Sequence, residues 1–485
     1  MTYLCYSGYL NSLSFDNFFL FRIHPYDDQT HQDNIKGKPM ELNAKDFYVK
    51  ELGPATIPSP LQLSVIDGDS LANYVPNNER VLYSVSLDQI RSAIAAGKEP
   101  CSFEKAGPRE MIYFDPAKCR AGIVTCGGLC PGINDVIRGM VMQMSWWYGV
   151  KSIYGFKYGY LGMVKESGLQ PLVLDPDAVS DIHEKGGSIL GSSRGPQDVG
   201  KMVDRLMDFN ISILFCIGGD GTLRGAQEIT EEILRRGLNI SVIAVPKTID
   251  NDIQFIEKSF GFETSFSVAV ESIRSAHVEA KGVMNGVGLV KLMGRESGYI
   301  AANASLASQD VNFCLIPELP FDLEGPNGFY EHLRKRLQTR GHAVAVVAEG
   351  VAGRFFSQGE KDASGNIKLA DVGVFLKDGM KKYFDSKKFP INVRYIDPSY
   401  MIRSAKAIPS DSVYCNQLAQ YAVHAGMAGK TGMMVGIWNN NFTHIPIEMA
   451  IQERKFIDAE STFWLNVLES TGQPRKMINS PENGK

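Results

Sequence analysis

From Arg120 onward the chain repeats one texture: a short apolar run, a break rich in glycine or charge, then a helix-length amphipathic segment. The runs are AGIVTC (121–126), ISILFCI (211–217), ISVIAV (240–245), VGLVKL (287–292), VNFCLI (311–316), AVAVVA (343–348) and TGMMVGI (431–437). Near-continuous apolar runs suit parallel strands covered by helices, because a strand buried on both sides has no polar face to alternate with. One intervening segment, 264–280, sets Phe266, Val270, Ile273 and His277 on one helical stripe. The alternation predicts a doubly wound α/β architecture. The stretch is too long for one such sheet, so two Rossmann-like lobes with a cleft between them are expected. The first is drawn at 119–261, with the chain returning to it at about 402–460, and the second at 262–401.

The two ends read differently. Residues 1–118 are rich in Asn, Asp, Pro and Tyr, and only Val81–Ala95 suggests regular structure. They are expected to form an N-terminal extension packed on the main body, its first ~40 residues partly disordered. The segment 461–485 turns polar after Trp464 and is expected to fray.

With 50 basic and 54 acidic residues the formal net charge is −4. No bulk basic field is present to hold nucleic acid or anionic lipid, and neither is expected as a partner. No run approaches the ~20 apolar residues of a membrane span. The eight cysteines are scattered. Cys126 and Cys130 are the one close pair, and no His or Cys pair follows at zinc spacing. Reduced thiols and a cytoplasmic location are expected, since the first residues lack the basic start of a secretory leader.

The chemistry concentrates where strands end, which is where open α/β sheets bind ligands. After the first run comes Cys126-Gly127-Gly128-Leu129-Cys130-Pro131-Gly132, whose adjacent glycines let backbone N–H groups approach a phosphate. A plain connecting turn would read the same. After the second comes Gly218-Gly219-Asp220-Gly221-Thr222. Here Asp220 can serve Mg²⁺ through water, and Gly221 leaves room for a nucleotide; a helix cap is the blander reading. After the third comes Pro246-Lys247-Thr248-Ile249-Asp250-Asn251-Asp252, two carboxylates beside a lysine. That grouping is costly unless it meets a metal or a donor, and it offers a general base and a cation for phosphate. Met293-Gly294-Arg295, Arg394 and Arg403 flanking Tyr400, and Gly191-Ser192-Ser193-Arg194-Gly195 supply cations with fork geometry or donor-rich turns.

Taken in order, GGLCPG, GSSRG, GGDGT, PKTIDND, MGR, VAEG and YMIR resemble the 6-phosphofructokinases, and the match runs from about Gly122 to about Pro446. The surrounding wording resembles the ATP-dependent enzymes of plants and trypanosomatids, which lie near the pyrophosphate-dependent branch. The resemblance implies a glycolytic kinase that transfers the ATP γ-phosphoryl to the 1-hydroxyl of fructose 6-phosphate, with Mg²⁺. It implies that Gly128, Arg194, Gly195, Gly219, Asp220, Gly221 and Thr222 hold ATP, Asp220 serving the metal. It implies Asp250 as the base, supported by Asp252, Lys247 and Arg295. The sugar phosphate would be held by Thr248, Ile249, Asp250, Met293, Gly294, Arg295, Glu349, Tyr400, Met401, Ile402 and Arg403. Arg394 would reach a neighbouring subunit, which implies a homo-oligomer, dimer or tetramer.

Three departures from the bacterial pattern stand out. Lys247 replaces a glycine, as in the pyrophosphate users and their ATP-using neighbours. Gly286 replaces a second cross-subunit arginine. The bacterial effector-site residues have no clear counterpart, which puts that form of allosteric control in doubt. The donor turns on Gly221, where the pyrophosphate enzymes carry Asp; glycine favours ATP. The alternatives are a pyrophosphate-dependent enzyme, a catalytically silent regulatory subunit, and another kinase bearing a GGDG loop, for which PKTIDND followed by MGR has no place.

Overall fold

Strands that read as unbroken apolar runs become the buried middle of two sheets. The structure, a computed structural model, describes residues 42–356 and 370–479. The expectation for the first ~40 residues therefore falls outside the described residues. In chain order the strands used here are β1 (Arg80–Leu82), β2 (Ser102–Lys105), β3 (Arg120–Thr125), β4 (Ser152–Phe156), β5 (Leu172–Val173), β6 (Ile213–Gly218) and β7 (Ser241–Pro246). Next come β8 (Gly286–Leu292), β9 (Phe313–Leu315), β10 (His342–Ala348) and β11 (Asn392–Ile396), and finally β12 (Met433–Trp438) and β13 (Asn441–Pro446).

Among the described residues the larger sheet runs β1-β2-β13-β12-β7-β6-β3-β4-β5, and the smaller β9-β10-β8-β11. The smaller is parallel throughout. The larger is parallel from β12 to β4 and antiparallel at both edges, so it is mixed. Helices α1 (Ile133–Met142), α2 (Val199–Asp208) and α3 (Asp220–Arg235) follow strands of the larger sheet. Helices α4 (Phe262–Lys281), α5 (Tyr299–Ser308), α6 (Phe329–Arg340) and α7 (Val372–Ser386) pack on the smaller one. The chain then passes through α8 (Ser399–Ser404) and α9 (Pro409–Met427), which lies along α1 and the larger sheet, and ends in α10 (Thr462–Thr471).

Alternate residues of β8 enter two different cores. Val287 and Leu289 join Phe313, Phe329 and Phe384 under α6 and α7, while Val290 and Leu292 join the core shared with the larger sheet. That alternation is the period of two a pleat imposes. The stripe expected on α4 is displaced. Its buried face is made of small residues such as Ser265, Ala269, Ser272, Ala276 and Ala280, with Ile273, while Phe266, Val270 and His277 are half-buried. The reason is close approach, since a Cβ on Gly288 of β8 would lie 2.8 Å from the Ala276 carbonyl oxygen.

The ends also differ from expectation. The N-terminal region adds strands as well as the helix Leu87–Ala95, because β1 and β2 extend the larger sheet onto β13. The tail does not fray at Trp464. The Ser461 hydroxyl caps α10 by accepting from Trp464 N at 3.2 Å, and Trp464 and Val467 are buried. Gln473 then accepts from Cys314 N at 2.6 Å, pinning the tail to β9.

A buried charge cluster secures β2. Glu104 pairs with Arg109 at 2.7 Å, with Lys430 at 2.8 Å and with His444 Nδ1 at 3.2 Å. Against the cost of burial, the bonds from His444 and Lys430 hold the Glu104 carboxyl well below its ordinary range, so its stabilisation is present above the usual carboxylate pKa and is lost as pH falls. Burial lowers the His444 pKa below the ordinary imidazole value, against the pull of Glu104. Glu104→Ala leaves two buried cations short of their carboxylate and is expected to cost roughly 3–5 kcal/mol, seen as a lowered melting temperature. An unchanged melting curve would show that the cluster is not what secures β2.

Candidate active site

The parallel strands of the larger sheet end level, so their loops lie side by side. Thr125 faces Ile217 and Gly218 faces Pro246 in register. Cys126 N then donates to the Ile217 carbonyl at 3.0 Å, and Lys247 N to the Gly218 carbonyl at 2.8 Å. The three loops singled out from the sequence thus form one rim.

Within that rim Lys247 is buried and its Nζ donates to the Gly128 carbonyl at 2.7 Å. Burial, with Arg194 adding repulsion, pulls its pKa below the ordinary lysine value, while the nearby thiols and Asp250 oppose this. A Cβ on Gly128 would come within 3.4 Å of the Arg194 guanidinium, so the GGLCPG and GSSRG turns meet here. The Ser192 hydroxyl donates to the Gly127 carbonyl at 2.5 Å and Gly127 N to the Ser193 carbonyl at 3.1 Å, closing the contact, and Gly195 follows with φ +98°. The seven described cysteines are free, and burial pushes the Cys126 thiol up to about 12.

Asp220 opens α3, after Gly219 in an extended conformation. Its carboxylate is paired on one oxygen: Arg224 Nε lies 3.2 Å and Arg454 Nη2 3.7 Å from Oδ2. Thr222 is buried beneath the turn, close to Gly218, and its carbonyl accepts from the Tyr160 hydroxyl at 2.8 Å, so it braces the loop. A Cβ on Gly221 would meet nothing within 4 Å.

Asp250 is where the two sheets meet. Its Oδ2 accepts from Arg295 N at 3.4 Å, and its carbonyl accepts from the Ser297 hydroxyl at 2.8 Å. Both donors follow β8. Burial first, then the charges of Asp252 and Glu349, push the Asp250 carboxyl up to about 7, against the pull of Arg295 N and Arg403. Burial also raises Glu349, against Arg403 and Arg295. Asp252 is held from both sides, accepting from the Thr248 hydroxyl at 2.8 Å and pairing with Arg454 at 3.5 Å. Ile249 is buried beneath the loop. Asn251 takes φ +55° while its side chain accepts from Ser259 N at 3.0 Å.

Gly294 has φ +119°, and a Cβ there would lie 2.3 Å from the Ser297 carbonyl oxygen, so the MGR turn requires glycine. Met293 is buried and its sulfur accepts from Arg403 Nε at 3.1 Å, a weak bond that leaves much of the guanidinium's donor capacity unspent. Ile402 anchors α8 in the core, whereas Tyr400 and Met401 are 83% and 66% exposed. Lys291 pairs with Asp397 at 2.7 Å and so holds the segment leading into α8.

Arg394 stands apart from this cluster. It lies exposed on β11 and pairs with Glu279 of α4 at 3.5 Å. A Cβ on Gly286 would lie 2.0 Å from the Ala280 carbonyl oxygen, so this position has no room for a side chain.

Sequence reading passed over Arg454, Ser297 and Asn251. Ser297 follows MGR directly and Asn251 lies inside PKTIDND, so both were within reach. Arg454 had no local signal at all.

Among the described residues no group of three His, Cys, Asp or Glu side chains forms a metal cage. The single Asp220 carboxylate, partly open to solvent at the glycine turn, fits Mg²⁺, which keeps several waters and takes phosphate oxygens as ligands. Nor is any described helix long and apolar enough to cross a membrane.

A raised, buried carboxyl between two sheets, beside glycine-rich turns and converging cations, is what transfer of a phosphoryl group between anions requires. The phosphofructokinase family model matches residues 120–426. The ATP-dependent 6-phosphofructokinase of Borreliella burgdorferi is 47% identical over 90% of this chain and 98% of its own length. The ATP-dependent 6-phosphofructokinase 5, chloroplastic, of Arabidopsis thaliana is 46% identical over 83% of this chain and 76% of its own. A solved pyrophosphate-dependent phosphofructokinase from Marinobacter aquaeolei shares the fold, with TM-score 0.59 at 20% identity over 73% of this chain and 91% of that one. The chain belongs to the phosphofructokinase family.

Proposed function

We infer that this chain is an ATP-dependent 6-phosphofructokinase, converting fructose 6-phosphate and ATP to fructose 1,6-bisphosphate and ADP. The observation that carries the reading is the Asp250 carboxyl, raised to about 7 and set between the phosphate-loop rim and the arginines that follow the smaller sheet. In the proposed reaction Asp250 Oδ2 aligns the sugar 1-hydroxyl and takes its proton as the oxygen attacks the γ-phosphorus in line. Gly128, Arg194, Gly195, Gly219 and Gly221 border the nucleotide, while Thr222 holds their turn in shape. Lys247 braces the Gly128 loop and adds positive charge beneath the phosphates. Asp220 would hold Mg²⁺, which would supply charge neutralisation at the phosphate oxygens.

Thr248, Met293, Gly294, Arg295, Glu349, Tyr400, Met401 and Arg403 hold the sugar phosphate, with Ile402 anchoring α8 beneath them, and Arg394 serves the site of a neighbouring subunit in a homo-oligomer. The bound sugar would thus lie partly against α8, where Tyr400 and Met401 are open to solvent. A cytoplasmic location is proposed for this chain, although two relatives are named chloroplastic.

A coupled assay of fructose 1,6-bisphosphate formation with Mg²⁺ tests the reading. Product is expected with ATP and none with pyrophosphate. Product with pyrophosphate alone reverses the donor, and silence with both points to a regulatory subunit. Arg403→Ala removes a charged hydrogen-bonding partner of the sugar phosphate, worth roughly 1.5–3 kcal/mol. It should raise KM for fructose 6-phosphate by about 10–100-fold with kcat changed little. An unchanged KM would take Arg403 out of the phosphate site.

A further inference from the structure

After β13 and the short helix Ile447–Ala450, residues 451–457 cross the site as an irregular strap. Its backbone is tied along its length. The Ile451 carbonyl accepts from Arg224 at 2.6 Å, the Arg454 carbonyl from Gln254 at 2.9 Å, and the Phe456 carbonyl from the Tyr299 hydroxyl at 2.9 Å. Lys455 N donates to the Asp252 carbonyl at 2.9 Å, and Ile457 N to the buried Glu318 carboxylate at 3.2 Å. From this fixed backbone Arg454 extends Nη2 to within 3.7 Å of Asp220, and Nη1 to within 3.5 Å of Asp252 and 3.9 Å of Glu296. These carboxylates come from separate loops, after β6, β7 and β8.

We propose that Arg454 is a positioning residue for phosphoryl transfer, spanning Asp220 and Asp252 so that the metal-bearing loop and the base-bearing loop keep a fixed separation. The two ends of one planar guanidinium serve the two carboxylates, which the point charge of a lysine cannot reproduce. The other nearby cations are committed. Arg224 is bonded to Asp220 and Ile451, and the Lys455 ammonium donates to the carbonyls of Ile256 and Glu257 at 2.9 and 3.0 Å. Without Arg454 the carboxylates of Asp220, Asp252 and Glu296 repel across the gap between the loops. The strap itself stays in place, because its ties are made by backbone atoms and by other side chains.

This inference rests on the roles proposed above for Asp220 and Asp250. The test compares full-length wild type, Arg454→Gln and Arg454→Lys for kcat, both KM values, the free Mg²⁺ needed for half-maximal rate, and melting temperature. Displacing reacting groups by about an ångström costs up to about 10²-fold, so Arg454→Gln is expected to lower kcat by roughly 10–100-fold. KM for fructose 6-phosphate should stay within about two-fold, the Mg²⁺ requirement should rise, and melting should be nearly unchanged. Arg454→Lys, which keeps the charge and loses the fork, should recover part of kcat. A folded Arg454→Gln with wild-type kcat overturns the proposal. So does an equal loss in both variants that tracks a lowered melting temperature, which marks a structural strut. If the Gln variant does not fold, the Lys variant decides: reduced kcat at normal melting supports the proposal, and wild-type kcat overturns it. A wild type without activity removes the underlying reading instead.

Discussion

Asp250→Asn is expected to lower kcat by roughly 10²–10⁴-fold, the usual worth of a positioned general base. The change is isosteric, so Arg295 N, Ser297 and the PKTIDND loop keep their places and KM for fructose 6-phosphate should move little. A second consequence is a pH profile. Burial, Asp252 and Glu349 raise the Asp250 carboxyl to about 7. A base works only when deprotonated, so kcat/KM of the wild type should fall about tenfold per pH unit below neutrality. That limb would otherwise lie near pH 4, and it should be absent from the Asn variant. Stability carries the opposite sign. A carboxyl whose folded pKa is raised costs folding free energy at pH values above its unfolded pKa, increasingly so up to the folded one. Asp250→Asn should therefore raise the melting temperature, more at pH 8 than at pH 5. A variant with near wild-type kcat would take the base role away from Asp250. A flat wild-type profile between pH 6 and 8 would show that its carboxyl titrates elsewhere.

Gly221→Asp should separate nucleotide use from folding. The position is exposed in the first turn of α3, a Cβ there meets nothing within 4 Å, and its φ is not left-handed. A negative charge near a helix N-terminus is also mildly stabilising, so melting should be unchanged or slightly raised. Set against a nucleotide phosphate about 4 Å away, the new carboxylate costs ~4 kcal/mol at the dielectric of a partly exposed site. That corresponds to a loss of about 10³-fold in kcat/KM for ATP. Pyrophosphate, which has no nucleoside to place there, should suffer less, so the ratio of the two donors should shift toward it. Equal kcat/KM for ATP in variant and wild type would remove Gly221 from donor choice.

The loops were legible because each follows a buried strand, and a glycine or paired carboxylate at such a junction has few purely local uses. What the sequence withheld was long-range. Arg454 lies in IQERKFID, where nothing nearby distinguishes it from a solvated charge; its partners Asp220 and Asp252 are remote in the chain. Arg394 was named by resemblance, and within one chain it pairs with Glu279. The stripe on α4 was misplaced because bulk was used to find the buried face. Where a helix lies against glycine-bearing strands, Ala and Ser occupy that face and larger groups move to its margins. Helix α10 did leave a signal in Ser461, a capping residue followed by Trp464 and Val467 three apart, but the long polar stretch after Leu468 obscured it. Strands as short as β1 cannot be read until their partners are known.

The order of strands in the larger sheet also bears on synthesis. Its edge pairs His444 with Glu104, so β2, with β1 paired outside it, is among the first described segments to be translated and yet hydrogen-bonds to one of the last. Strands β3, β6 and β7 can associate while the ribosome is still elongating. The inner edge of β2 must wait, solvated, until β12 and β13 have emerged. Closing so long a span late is slow in topological terms and leaves apolar surface exposed in the interim. A nascent chain stalled before Met433 should accordingly be captured by chaperones or cleaved by protease near Ser102–Lys105, and a chain released past Pro446 should not.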